Sequence, residues 1–90
     1  MSEILRITNL QILEKIDKNG NIYFLLFDND QKSGKNLYVA FSSCEVSYRD
    51  WQIMLEDCRN VNEIEIEWEK AERGNRVLKI TDIVTYQNRE

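Results

Sequence analysis

The sequence contains no histidine and no proline, and only two of its 90 residues are cysteine. Without histidine, a nucleophilic site lacks its usual general base. A zinc site would likewise lack one of its common ligands, and the two thiols, Cys44 and Cys58, lie far apart in sequence. These shortages predict a protein that is not an enzyme and that binds no metal and no cofactor.

Long apolar runs are missing as well. The longest, from Ile22 to Phe27, is far too short to cross a bilayer. Glu3 and Arg6 interrupt the apolar stretch near Met1, so we expect no secretory signal. The sequence therefore predicts a cytoplasmic protein without membrane contact, in which the cysteines are free thiols.

Length and charge limit the organisation of the chain. A chain of 90 residues has room for one domain, residues 1–90, with one modest core. The net charge of −4 argues against indiscriminate binding to polyanions, because such binding depends on clustered Lys and Arg. We expect a small, acidic, single-domain protein.

The first patterned segment, Ile4–Ile16, alternates between apolar and polar residues but changes phase along its length. Leu5 and Ile7 lie on one phase, whereas Leu10 and Ile12 lie on the other. A bulge produces such a phase change, so the pattern predicts one long bent strand. A helix from Ile4 to Lys15 is the alternative, because Leu, Gln, Glu and Lys are good helix formers.

Four further strands and one turn follow from local patterns. The turn is Asp17–Asn21, where the Asn-Gly step can adopt the positive backbone angles of a hairpin connection. The strands are Ile22–Asp28, Leu37–Phe41, Glu63–Glu69 and Val77–Tyr86.

A single helix is predicted after the third strand. Ser47 can cap its N-terminus, Asp50 stands at the capping-box position, and Val46 can pack on Trp51. An apolar stripe then continues through Met54, which predicts a helix that packs on the core by one face.

The predicted order is β-β-β-α-β-β. In element order it resembles the five-stranded barrel of oligonucleotide- and oligosaccharide-binding domains, which carries one helix between strands three and four. The resemblance implies a mainly β fold whose ligand cleft is formed by strands two and three and by the loops between strands one and two and between strands four and five. A half-open sheet with one packed helix is the alternative.

Basic residues concentrate in the predicted turns, where such a cleft would place a phosphate backbone. The candidates for phosphate contacts are Lys15, Lys18, Lys32, Lys35, Arg73 and Arg76. Solubility alone would also favour lysine in loops.

Acidic residues concentrate on the fourth predicted strand. Glu63, Glu65, Glu67 and Glu69 form a row that is typical of a solvated strand face that discourages edge pairing. The same row is a candidate docking surface for a basic protein partner.

Aromatic side chains on an open sheet face can stack on unpaired bases. If Ile22, Phe24 and Leu26 face the core together with Leu37, Val39 and Phe41, the residues left outside are Tyr23, Leu25, Phe27 and Tyr38. Tyr23, Phe27 and Tyr38 are therefore the candidate stacking residues. A protein partner or the core itself could cover these side chains instead.

Two functions fit these patterns. The first is a non-enzymatic module that binds single-stranded nucleic acid through the stacking and basic residues. The alternative is a small acidic protein-interaction module, such as an inhibitor, adaptor or complex subunit. A homodimer is compatible with either, because a second copy can cover an exposed edge or apolar face.

Overall fold

The structure, a computed structural model, describes residues 1–31, 37–72 and 74–86. The described residues form six strands and one α-helix, which confirms the mainly β prediction and the position of the helix. In chain order the elements are β1 (Ser2–Ile7), β2 (Leu10–Ile16), β3 (Ile22–Asp28), β4 (Leu37–Phe41), α1 (Tyr48–Asp57), a 3-10 turn (Cys58–Asn60), β5 (Val61–Ala71) and β6 (Gly74–Thr85). None of the described residues forms a helix with the length and apolar character needed to cross a bilayer.

The first segment is not one bent strand, so that prediction was wrong. It divides at Thr8 and Asn9 into β1 and β2, and each strand has its own antiparallel partner. β1 pairs with β5, whereas β2 pairs with β3. The change of phase marks a change of partner rather than a bulge. The helical alternative is also excluded.

The six strands form one sheet in the order β1-β5-β6-β4-β3-β2. Neighbouring strands are antiparallel except β4 and β6, which pair in parallel at Tyr38 with Asn75 and at Val39 with Arg76. Within the described part of the chain no ladder joins β1 to β2, so the sheet is open. The prediction of a five-stranded barrel is thus confirmed only as a mainly β sheet with one helix, which agrees with the open-sheet alternative.

The core lies on the inner face of this sheet. Its largest fully buried side chains are Ile7, Phe24, Leu26, Met54, Ile64, Ile66 and Val77. α1 contributes Met54 and packs Trp51 edge-on against Phe24, with ring centroids 5.1 Å apart. Ser47 caps the helix as predicted, since its hydroxyl accepts a hydrogen bond of 3.1 Å from the backbone N–H of Asp50.

Candidate nucleic-acid interface

The outer side of β2, β3 and β4 carries a continuous set of apolar side chains. Opposite residues of an antiparallel pair share a face, and the register places Leu13 and Val39 on either side of Leu25, with Phe41 opposite Tyr23. We call this surface the apolar face; it comprises Leu13, Tyr23, Leu25, Phe27, Leu37, Val39 and Phe41. Each of these residues is partly exposed, and Leu13 and Phe41 reach 39% and 42%.

The predicted orientation of β4 was wrong. Tyr38 and Ala40 pair with Leu26 and Phe24 and are buried with them, so Leu37, Val39 and Phe41 lie outside. Tyr38 is 3% exposed, and its ring meets Trp68 edge-on at 5.2 Å. Burial also raises the pKa of its hydroxyl. Tyr38 therefore has no free ring face for a ligand.

Phe41 replaces Tyr38 as the second exposed ring of this face. Its centroid is 5.5 Å from that of Tyr23, with the two ring planes tilted by 37°. Phe27 lies on the same face, four residues beyond Tyr23 in β3, opposite Leu37. The sequence could not identify Phe41, because both phases of β4 are apolar and only its register with β3 decides which one is outside.

Basic side chains flank the apolar face on two sides. Lys15 of β2 lies opposite Tyr23, and Arg76 of β6 lies opposite Val39. Lys18 is in the turn that joins β2 to β3. The structure thus brings Lys15 and Arg76 to the borders of the predicted stacking surface, while Lys32, Lys35 and Arg73 lie outside the described residues.

The Asp17–Asn21 turn that carries Lys18 is held by its first residue. The Asp17 carboxylate accepts hydrogen bonds from the backbone N–H groups of Asn19 at 2.8 Å and Asn21 at 2.9 Å. The bond from Asn21 is the main reason why the pKa of Asp17 is lowered. Of the Asn-Gly step, for which positive angles were predicted, only Gly20 has one, with a φ of 85°, whereas the φ of Asn19 is not positive.

A small cleft opens between the end of β4 and the β5–β6 hairpin, next to the apolar face. Its volume is about 140 Å³, and it is lined by Val39, Phe41, Ala71, Gly74, Asn75 and Arg76. Asn75 donates a hydrogen bond of 3.2 Å from Nδ2 to the Leu37 carbonyl, which fixes the orientation of its amide. Sequence reasoning missed this cleft, because it depends on the parallel pairing of β4 with β6.

The acidic row lies on the outer side of β1, β5 and β6 and adjoins the apolar face, because Arg76 is paired with Val39 on one side and with Glu69 on the other. There the Arg6 guanidinium is 2.7 Å from both Glu63 and Asp82 and 3.7 Å from Glu65. The hydrogen bonds to Asp82 and Glu63 raise the pKa of Arg6. We call this surface the charged face; it comprises Arg6, Glu63, Glu65, Glu67, Glu69 and Asp82.

Other hydrogen bonds satisfy further carboxylates of the charged face. Ser2 donates to Glu67, and Thr81 donates to Glu65 at 3.0 Å. The four glutamates of the row are half-buried rather than fully solvated. A basic partner would therefore have to compete with Arg6 for part of the predicted docking surface.

The surroundings of the two cysteines disfavour the charged thiolate form. Both are free, and burial raises the pKa of the Cys44 thiol to about 11 and also raises that of Cys58. Across residues 1–31, 37–72 and 74–86, no group of three or more Cys, Asp or Glu side chains is arranged to hold a metal ion.

Comparison with models of protein families, with curated proteins and with solved structures finds no match to this chain.

Proposed function

We propose that this protein is a non-enzymatic module that binds single-stranded nucleic acid through the apolar face. The observation that carries the proposal is the pair of adjacent rings, the partly buried Tyr23 and the exposed Phe41, between the basic side chains of Lys15 and Arg76. Unpaired bases stack on such rings, and cations beside the rings contact the phosphates. Phe27 remains in the stacking set, whereas Tyr38 does not.

The strand order supports this proposal. β1 and β2 stand at opposite ends of the sheet order, yet only Thr8 and Asn9 separate them in the chain. We infer that these two separate strands together take the place that the first strand has in an oligonucleotide-binding-type barrel, a fold that is partly open. In that arrangement β3 and β4 are strands two and three, whose outer face is the usual ligand surface.

The charge distribution also supports the proposal despite the net charge of −4. Three of the carboxylates surround Arg6 on the charged face, and Glu69 of the same face lies opposite Arg76 without an ion pair to it in the described part of the chain. In the described part of the chain, Lys15, Lys18 and Arg76 have no ion pair to break before they contact a phosphate. With so few cations, we expect weak binding that falls as salt rises.

The test is fluorescence anisotropy of a labelled single-stranded oligonucleotide at low and moderate salt. We expect binding for the unchanged protein and a loss of at least about tenfold in affinity for Tyr23→Ala combined with Phe41→Ala, because each stacked base is worth about 1–3 kcal/mol. Tyr48→Ala is the matched control, since Tyr48 is exposed on α1 and should not affect affinity.

A second pair of variants tests the phosphate contacts. Lys15→Ala should reduce the slope of log affinity against log salt by about 0.7, the value for one lost contact to a single strand. Lys79→Ala should leave that slope unchanged, because Lys79 pairs with Glu45. The proposal is wrong if no complex forms at low salt, or if the double variant binds as well as the unchanged protein.

The alternative function, a protein-interaction module, is favoured by the aliphatic part of the same face. Leu13, Leu25, Leu37 and Val39 offer contact area that suits a protein surface. This alternative predicts no binding to single strands at low salt and recovery of a protein partner that is lost in Leu13→Glu. Changing Glu63, Glu65 and Glu67 to lysine would show whether the acidic row takes part.

A further inference from the structure

The turn between β2 and β3 contains the only Asn-Gly step of the sequence, Asn19-Gly20. The backbone nitrogen of a residue can attack the side-chain amide of an asparagine that precedes it, and a side chain on the attacking residue hinders this approach. Glycine has no side chain, whereas Asn21 of the same turn is followed by the β-branched Ile22. Asn19 and Gly20 are both exposed, and a Cβ built on Gly20 meets no atom within 4 Å. The Asn19-Gly20 step is therefore open to water.

The folded turn opposes this attack, because the Gly20 nitrogen already takes part in a hydrogen bond. Its N–H donates to the backbone carbonyl of Asp17 at 3.0 Å. The Asp17 carboxylate holds the same turn by accepting from the backbone N–H groups of Asn19 at 2.8 Å and Asn21 at 2.9 Å. The Gly20 nitrogen has to leave this arrangement before it can reach the Asn19 side chain, so the reaction requires local opening of the turn.

We propose that Asn19 is a site of spontaneous deamidation and that Asp17 limits the rate by keeping the turn closed. When the turn opens, the Gly20 nitrogen loses its proton to the solvent and forms a bond to Cγ of Asn19. The bond between Cγ and Nδ2 breaks, and ammonia leaves with a proton taken from the solvent. A succinimide ring remains, and water opens it at one of its two carbonyl carbons to give aspartate or isoaspartate. No electrons are exchanged, and water is the co-reactant.

The product changes both the charge and the length of the turn. A carboxylate replaces a neutral amide next to Lys18, which the same turn carries. The isoaspartyl form also runs the backbone through the former side chain, which adds one atom between residues 19 and 20. That atom alters the spacing of the hydrogen bond from Gly20 to Asp17. Deamidation therefore modifies the connection of the β2–β3 hairpin.

The experiment incubates the folded protein at pH 7.5 and follows deamidation by mass spectrometry of its peptides. We expect Asn19 to react before Asn21, because Ile22 hinders attack at the second site. Asp17→Ala removes two hydrogen bonds to a charged acceptor and should speed the reaction at Asn19 at least about tenfold. Asp17→Asn keeps a side-chain oxygen that can accept the same bonds, so it should restore most of the protection.

Asp57→Ala is the matched control, since the Asp57 carboxylate accepts a similar hydrogen bond of 3.1 Å from the backbone N–H of Arg59 in a different turn. It should leave the rate at Asn19 unchanged, which separates opening of the hairpin turn from a general loss of stability. In urea, the unchanged protein and every variant should react at Asn19 at one common, faster rate, because the unfolded chain has no turn to open.

Three results would overturn the proposal. Earlier deamidation at another asparagine would exclude Asn19 as the preferred site. An unchanged protein that reacts as fast when folded as in urea would show that the turn gives no protection. An Asp17→Ala variant that reacts no faster than the unchanged protein would remove Asp17 as its cause. These measurements use no ligand, so their outcome is independent of the proposed function.

Discussion

The two outer surfaces of the sheet differ in how far the protein satisfies its own side chains. On the charged face, Arg6 lies among Glu63, Glu65 and Asp82, so opposite charges are already paired. On the apolar face, rings and aliphatic side chains cover one another only partly, and Phe41 keeps 42% of its area exposed. The charged face carries more charges, but because most of them are already paired it has fewer groups available to a ligand. Net charge therefore does not show which surface of this molecule has charged groups left unpaired.

The largest expected effect concerns the boundary between the apolar face and the core. Tyr38→Ala removes a buried ring and should lower the free energy of unfolding by about 3–5 kcal/mol, as other buried aromatic residues do. Phe41→Ala, three residues along the same strand but on the outer face, should cost about 1 kcal/mol or less. Urea denaturation measures the free energy of unfolding of both variants. Equal decreases would show that Tyr38 and Phe41 have been assigned to the wrong faces of β4.

The charged face should respond to the loss of its central cation. Arg6→Leu leaves three carboxylates close together, so we expect a lower melting temperature at low salt and a smaller difference at high salt, where repulsion is screened. Lys79→Leu removes only one partner of Glu45 and should have a smaller effect. If salt does not narrow the gap for Arg6→Leu, the ion pairs are not what holds this face together.

The smallest expected effect is at the turn next to the apolar face. The pKa of Asp17 is lower in the folded chain than its ordinary value of 3.8, so folding favours its charged form. That contribution to stability is complete above the ordinary value and is lost as the pH falls through the folded one.

The midpoint of urea unfolding, measured from pH 5 to pH 2, checks this dependence of stability on pH. We call its decrease towards low pH the acid limb. Asp17→Asn should make the limb shallower, whereas Glu56→Gln, at an exposed position of α1, should leave it unchanged. If the acid limb is equally steep in Asp17→Asn, the Asp17 carboxylate is not its cause.

Much of the local structure could be predicted from the sequence because it depends on neighbours in the chain. The Asn-Gly step fixed the hairpin after β2, and both Ile22–Asp28 and Leu37–Phe41 begin and end as predicted. The capped helix follows from Ser47 and from the apolar stripe behind it. In each case residues within one turn or one strand carry the information.

The predictions were wrong where the structure depends on residues that are far apart in the sequence. A phase change at Thr8 and Asn9 looks the same whether a strand bulges or leaves one partner for another. Tyr38 and Phe41 are both aromatic, so only pairing with β3 could show which of them is buried. Of the candidate site, Tyr23 and Phe27 lie on the outer face as expected, whereas Lys15 lies in β2 beside that face and not in the turn where it was predicted. Arg6, which neutralises much of the acidic row, was not foreseen because its partners are far away in sequence.

The division of the first segment also affects the order in which the protein can fold. β2 and β3 meet through a five-residue turn, so their ladder closes at little cost in chain entropy. β1 pairs with β5, which follows the helix, and Ser2 meets Glu69 only after most of the chain has been placed. We expect the hairpin to form early and β1 to dock late, since non-local pairing repays its entropy only at the end. Late docking makes β1 the element whose amide hydrogens should exchange first.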